Sequence, residues 1–329
     1  AHAVGTRHIA AKPLKVAAAP ELRELVRGPL DADRLGTPQP DDYFVGGRAL
    51  IARFLTAAAR HPHSSARLNT ALTELVIEDG TVTGAVVESD GQRARIRARR
   101  GVLLAAGGFE HNDEMRKKYQ RDPIGSEWTT GAPSNTGDGI NAGLKIGAAV
   151  SLMDDAWWGP TIPLPRGPWF ALSERSVPGT FIVNMRGERF MNESLPYVEA
   201  VHQMYGGEFG QGDGPGENVP GWLIFDQTCR NRYLFAGINA RQPLPKKWFD
   251  SGVVVKADTI AELADKIGVP ADALTATTER FNGFAKSGVD ADFHRGESGY
   301  DHYYGDITNK PNPSLGPLKK APFYAVKMV

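Results

Sequence analysis

This sequence predicts an α/β fold in two parts, and three observations predict it. A short apolar run, GVLLAA (Gly101–Ala106), breaks into Gly107-Gly108, the way a strand of an α/β sheet ends beside a ligand. A second glycine group, in GDGINAGLKIGAAV (Gly137–Val150), leads into helical spacing. From about Asp154 the composition changes to DDAWWGPTIPLPRGPWFALSERSVPG, rich in aromatics and proline and poor material for a helix or a central strand. That change marks the start of an inserted α+β part. At 329 residues the chain is long enough for two cores.

Residues 1–45 carry several prolines and little periodicity, and read as a connecting excursion. GGRALIARFLTAAARHP (Gly46–Pro62) spaces Leu50, Ile51, Phe54, Leu55 and Ala58 as one apolar helix face, stopped by Pro62. The next stretch alternates like strands, with hairpin turns at Asp79-Gly80 and Asp90-Gly91. Gly101–Ala106 is expected as a buried strand. TFIVNMRGERFMNE reads as a hairpin turning at Arg186-Gly187, and WLIFDQ as a buried strand. Between them, GGEFGQGDGPGENVPG (Gly206–Gly221) is a loop, either a lid or a plain insertion. TIAELADKIG and PADALTATTERFNGFAKSG are amphipathic helices, the second led by Pro270. FYAVK near the end is a strand.

Equal counts of 38 acidic and 38 basic residues remove any charge argument for nucleic acid or an anionic membrane. The single cysteine, Cys229, excludes an internal disulfide and fits a reducing compartment. No apolar run approaches the roughly 20 residues of a membrane helix, and no secretory leader pattern opens the sequence. The expected location is the cytoplasm, with peripheral attachment to a membrane left open.

Three stretches have the residue types for chemistry. In RRGVLLAAGGFEHN, two glycines at a strand end let the backbone approach a ligand closely; a strand ending in an ordinary turn is the alternative. In NTGDGINAG, glycines at a helix start expose N–H groups, and Asp138 can accept from a ligand hydroxyl or merely cap the helix. In GERFMNESLPY (Gly187–Tyr197), a turn and a polar cluster precede Tyr197. A tyrosine, with an ordinary pKa of about 10, becomes a base only beside a donor or cation. Arg189 and Asn192 are near in sequence; the alternative is that Arg189 pairs with Glu193 and Tyr197 simply packs.

In this order, strand-AAGGFE, NTGDG-helix and GERFMNES with a polar residue four after the glutamate resemble the fumarate reductase/succinate dehydrogenase flavoprotein superfamily. DDAWWGP, ALSER, GERFMNESLPY, DSGVVV-AD and HRGESGYDHYYGD resemble its 3-ketosteroid Δ1-dehydrogenase branch, from about Gly46 to Val329. The resemblance implies a Rossmann-like FAD-binding domain, residues 1–150 and 311–329, holding an inserted α+β substrate-capping domain, 151–310. It implies non-covalent FAD, contacted by Ala105, Ala106, Gly107, Gly108 and Phe109 and by Asn135, Thr136, Gly137, Asp138 and Gly139. It implies a 3-ketosteroid substrate, an external electron acceptor, and Tyr197 as the base that takes a proton from C2 while hydride leaves C1. Trp157, Trp158, Trp169 and Phe170 are then candidates for the apolar steroid slot. Related flavoproteins acting at steroid C4–C5 or on a fumarate-like diacid are the enzyme alternatives. A flavin-free steroid- or lipid-binding fragment is the alternative outside enzymes.

The departures from that pattern matter equally. The family's opening strand-GxGxxG-helix and its later GDLGT and YPG-x-G segments have no counterpart in this sequence. The resemblance therefore implies an internal portion of an enzyme, without its main pyrophosphate grip or the groups that polarise the 3-oxo oxygen, and not active alone.

Overall fold

The computed structural model describes residues 14–15, 43–44 and 46–329. The excursion expected over residues 1–45 lies outside them, apart from β1 (Leu14–Lys15) and β2 (Tyr43–Phe44), which pair antiparallel. Helix α1 (Gly46–Arg60) forms where the apolar spacing predicts it and stops before Pro62. Its expected apolar face is open at Leu50, Ile51 and Phe54, and Ala52 is the buried position. The described residues up to 71, with 88–93, form one compact unit, and residues 72–87 with 94–329 form another.

Strands β3 (Ala71–Glu78), β4 (Thr81–Ser89) and β5 (Gln92–Arg97) form a three-stranded sheet. Both predicted turns are present, with φ of +50° and +73° at Asp79-Gly80 and +51° and +74° at Asp90-Gly91. Positive φ at both central residues matches the right-handed strand twist.

The run Gly101–Ala106 corrects the sequence reading. It is neither paired nor buried: no described strand lies beside it, and Leu103 is 90% exposed. Apolar side chains favour a buried strand only where a neighbouring strand takes up the backbone N–H and C=O groups, and none does so among the described residues. Helix α2 (Asp113–Tyr119) follows, capped by Asn112, whose side chain accepts the Met115 N–H. Helix α3 (Asp138–Leu144) is shorter than the predicted Gly137–Val150.

The core surrounds one four-stranded antiparallel sheet, ordered β10 (Val254–Ala257), β11 (Phe323–Met328), β9 (Gly221–Asp226), β8 (Thr180–Val183). Both faces are covered. Ile182, Leu223, Phe225, Tyr324, Val326 and Met328 point into one apolar cluster. Helices α4 (Tyr197–Tyr205), α5 (Gln227–Arg232) and α6 (Lys246–Asp250) contribute to it. Phe181, Val183, Trp222, Ile224 and Ala325 point into the other, under α7 (Ile260–Ile267) and α8 (Ala271–Ser287). A sheet buried on both faces needs apolar residues at every position, so its strands read as unbroken runs.

Two short strands, β6 (Thr161–Ile162) and β7 (Trp169–Phe170), pair with each other, and Thr161 exchanges two backbone hydrogen bonds with Val329. Helix α9 (Gly299–Tyr304) closes the order of elements. The sequence groups 311–329 with 1–150; in the structure β11 lies inside the sheet built by residues 180–257.

Candidate active site

The turn before Tyr197 is needed for a close approach. Gly187 has φ +77°, and a Cβ there would lie 3.0 Å from the Leu274 amide nitrogen of α8. Thr277 of α8 donates its hydroxyl to the Gly187 carbonyl at 2.8 Å. The chain reverses at the predicted place, through Gly187 N–H to the Asn184 carbonyl and Asn184 N–H to the Glu188 carbonyl, both 3.0 Å, and one bridge, Val183 to Arg189.

Arg189 then grips Glu193 with two parallel hydrogen bonds, both 2.8 Å. The same guanidinium reaches Asp290 at 2.8 Å, and Arg295 reaches the other side of Glu193 at 3.0 Å. Glu193 Oε1 also accepts the Ile182 N–H at 3.1 Å. Arg175 donates to the Glu193 and Ala171 carbonyls, and Arg295 donates to those of Thr180, Arg175 and Val177. Three arginines and two carboxylates thus form a buried ionic knot behind the Tyr197 segment. Burial works to raise the Glu193 pKa, but Arg189 and Arg295 outweigh it and hold the carboxyl below its ordinary value. Asp290 is likewise held low: its hydrogen bonds and charge pairing with Arg189 overcome burial. Arg175 is pushed down to about 10 by burial, and remains a cation at neutral pH.

Asn192 ties this segment to α9 through Asp301 at 3.1 Å. Pro196 caps α4 and Tyr197 is its first residue. The Tyr197 ring is half-buried and meets Phe170 edge-on at 5.4 Å. No described residue hydrogen-bonds its hydroxyl. The Arg189–Glu193 pairing raised as an alternative is therefore present, while the Tyr197 hydroxyl is left for another partner.

The two glycine segments predicted to contact a cofactor do come together. The Gly137 N–H donates to the Gly108 carbonyl at 3.0 Å, and His111 N–H to the Asn135 carbonyl at 3.0 Å. Glu110 holds Asn135 at 2.7 Å, and Asn112 reaches the Thr136 carbonyl at 2.9 Å. A Cβ on Gly107 would lie 2.5 Å from Asn135 Oδ1, and one on Gly139 3.2 Å from the Ala106 Cβ. Ala105, Ala106 and Gly107 are exposed, and so is Asp138, whose carboxylate takes only the Thr136 hydroxyl, at 2.9 Å. Phe109, Gly137 and Gly139 are buried, Phe109 against Tyr119. This open backbone edge with an accessible acceptor fits a flavin nucleotide: glycines admit a flat ring or a sugar, and a carboxylate receives a hydroxyl.

The four aromatic residues are not gathered into one wall. Phe170 touches Tyr197. Trp158 donates its indole N–H to Asp155 at 2.8 Å, where His202 also binds at 3.1 Å. Trp169 donates to the buried Glu174 at 2.9 Å, whose pKa burial raises. Trp157 is 93% exposed. Arg175, Arg295 and Glu110 are missed by residue-level reading. The first two lie in the quoted ALSER and HRGESGYDHYYGD stretches, but 120 residues separate them, and only the fold joins them.

Among the described residues no cluster of His, Cys, Asp or Glu is arranged to hold a metal, and no helix is long and apolar enough to cross a membrane. Cys229 is buried, and burial pushes its thiol pKa up.

The family model described as the FAD binding domain matches residues 13–329, and the chain belongs to that family, whose cofactor is FAD. Its fold is the flavoprotein type of mixed α/β content found in a flavocytochrome c3 fumarate reductase in open conformation. That likeness has TM-score 0.51 and 24% identity, over 95% of this chain and 50% of the other. More particularly, the chain is 64% identical over 288 residues to a 3-oxosteroid 1-dehydrogenase of Mycolicibacterium smegmatis (strain ATCC 700084 / mc(2)155), covering 86% of this chain and 50% of that protein. It is also similar to the crystal structure of a 3-ketosteroid Δ1-dehydrogenase from Sterolibacterium denitrificans in complex with 1,4-androstadiene-3,17-dione. Here the TM-score is 0.81 and the identity 38%, over 93% of this chain and 55% of that one. The chain spans about half the length of the curated relatives it matches.

Proposed function

We propose that this chain forms part of an FAD-dependent dehydrogenase that introduces the C1–C2 double bond of 3-ketosteroids. The observation that carries the reading is Tyr197: a half-buried tyrosine beside Phe170, its hydroxyl unused by the described residues, on a segment clamped by five buried charges. Resemblance in sequence and structure to 3-ketosteroid Δ1-dehydrogenases supports it. A tyrosine at this place, rather than a cation, disfavours a small dianionic substrate.

Bound FAD would supply the acceptor for the hydride from C1. Ala105, Ala106, Gly107 and Gly108 would line its ring system, and Asn135, Thr136, Gly137, Asp138 and Gly139 would hold a sugar or ring edge. Tyr197 would take the proton from C2, which the neighbouring 3-oxo group acidifies, while Phe170 shields the tyrosine ring from water. Trp157, Trp158 and Trp169 are retained as wall residues that make contact when steroid binds. The proposed architecture is a Rossmann-like FAD-binding layer and a substrate-capping α+β region, with β11 counted in the latter. An external acceptor would reoxidise the flavin.

The test is anaerobic mixing of the flavin-loaded full-length enzyme with a 3-oxo-4-ene steroid. Bleaching of the oxidised flavin band with a 1,4-diene product is expected. Yellow protein that does not bleach would overturn the substrate, and colourless protein that still binds steroid would leave only a binding role. C1- and C4-deuterated steroids separate the C1–C2 reaction from one at C4–C5, because only the bond being broken shows a primary isotope effect. Tyr197→Phe should lower turnover by about 10²–10⁴ while flavin and steroid binding persist.

A further inference from the structure

Gly159 lies between Trp158 and Pro160, and the reaction proposed above gives it no part. Backbone conformation does not demand a glycine here, because Gly159 is not among the residues with positive φ. The following Pro160 favours extended backbone at residue 159, which alanine adopts freely. What demands a glycine is space. A Cβ on Gly159 would overlap the Phe170 ring at Cε2 and Cζ and lie 2.6 Å from Cδ2. Phe170 is also the ring that meets Tyr197 edge-on, with centroids 5.4 Å apart and an interplanar angle of 72°. One phenyl ring is therefore in contact with both a bare stretch of backbone and the proposed base.

The backbones that carry this contact are tied down on both sides. Thr161 donates its hydroxyl to the Gly159 carbonyl at 2.9 Å. The Thr161 N–H and C=O bond to Val329 at 2.8 and 2.9 Å, and the Pro160 carbonyl accepts the Ala171 N–H at 2.8 Å. Across from them, Phe170 of β7 stands in register with Thr161 of β6. Trp169 before it donates to the buried Glu174 at 2.9 Å, and the Ala171 carbonyl after it accepts from Arg175 at 3.1 Å. With both strands held, a side chain added at residue 159 is admitted only by moving the Phe170 ring. Tyr197 has no second ring against it among the described residues, and none of their groups hydrogen-bonds its hydroxyl. The seat of Phe170 thus sets the tilt of Tyr197.

We propose that Gly159 is a positioning residue for this reaction: its missing side chain seats Phe170, and Phe170 so seated holds Tyr197 where its hydroxyl takes the C2 proton. This inference rests on the function proposed above. A base acts only within hydrogen-bond reach of the proton it removes, so displacing its ring by about 1 Å costs rate far more than it costs binding of flavin.

The test is a set of double-mutant cycles on the flavin-loaded full-length enzyme, read as kcat for a 3-oxo-4-ene steroid, with flavin content and the urea midpoint measured alongside. Gly159→Ala should lower kcat by about 10- to 100-fold with flavin content unchanged. Phe170→Ala, which adds no bulk, should lower kcat by a similar factor, so the reading stays testable even if Gly159→Ala folds poorly. In the Phe170→Ala background the ring is gone, and Gly159→Ala should cost less than about threefold more. In the Tyr197→Phe background the base is gone, and Gly159→Ala should again cost less than about threefold. Equal losses from Gly159→Ala in all three backgrounds would overturn the proposal, as would a loss confined to flavin content or the urea midpoint, the mark of a merely structural glycine. Undiminished kcat in Phe170→Ala would overturn it too. If wild type turns over no 3-ketosteroid, the functional reading falls and this inference with it. If wild type turns over and Tyr197→Phe does not, an unchanged Gly159→Ala removes the role of Gly159 alone.

Discussion

Two regions of this molecule hold candidate site residues by opposite means. The Tyr197 segment is held by side chains: Arg175, Arg189 and Arg295 close on Glu193 and Asp290, all buried. The glycine segments 105–109 and 135–139 are held by backbone, through Gly137 N–H to Gly108 C=O and a few side-chain braces, and Ala105, Ala106, Gly107 and Asp138 face outward. The first region fixes one hydroxyl in place before any ligand arrives. The second keeps an edge open for a ligand to occupy. Buried charge gives rigid placement because every partner must be present at once; bare backbone gives close approach because nothing projects from it.

The comparison breaks most sharply at Glu193. Replacing it with Ala leaves Arg295 and half of Arg189 buried without an acid, at an expected cost of about 3–5 kcal/mol. The measurement is the urea midpoint of unfolding, and a cost below about 1 kcal/mol would mean that the knot does not hold the segment. Glycine changes should act on the other region, through the cofactor. Gly137→Val places a side chain at φ +83°, with its Cβ 2.5 Å from Met115 Sδ. Strain of about 1–3 kcal/mol should weaken flavin binding by roughly tenfold, read by flavin titration, with less effect on the unfolding midpoint of the apoprotein.

Acid should also separate the regions. The Glu193 and Asp290 pKa values are lowered on folding, so their stabilisation is present above the unfolded carboxylate values. It is lost as pH falls through the lower folded values. The unfolding midpoint should therefore drop below about pH 4, and Asp290→Asn should flatten that drop while lowering stability at neutral pH. The smallest expected effect is at Leu103, where Leu103→Ser should change the stability of this chain by no more than about 0.5 kcal/mol, since the side chain is in water. A larger loss would mean that Leu103 is covered in solution.

Much of the architecture is legible residue by residue, where its cause is local. The Asp-Gly turns at 79–80 and 90–91 follow from the positive φ those residues tolerate. Helices α7 and α8 follow from apolar spacing and from their caps, Thr259 and Pro270. The unbroken run in WLIFDQ marks a strand buried on both faces, and β9 is one. GVLLAA carries a similar pattern and is not a strand here, because a run of apolar residues says nothing about whether a partner strand exists. Resemblance marked both glycine segments as flavin contacts; that backbone hydrogen bonds join them is seen in the structure.

The sequence by itself determined the Asp-Gly turns, four of the nine described helices (α1, α3, α7 and α8), strands β8, β9 and β11 of the main sheet, and which residue types were candidates to bind a flavin or remove a proton. Those properties depend on neighbours within a few positions, or on motifs that stay together in the chain. Only the tertiary structure decided that Arg175 and Arg295, 120 residues apart, close on one glutamate. It alone set β11 between β9 and β10, left GVLLAA unpaired, and put Phe170 rather than a tryptophan against Tyr197. Each of these depends on which distant segment arrives to desolvate a charge or complete a ladder, and linear order does not record that.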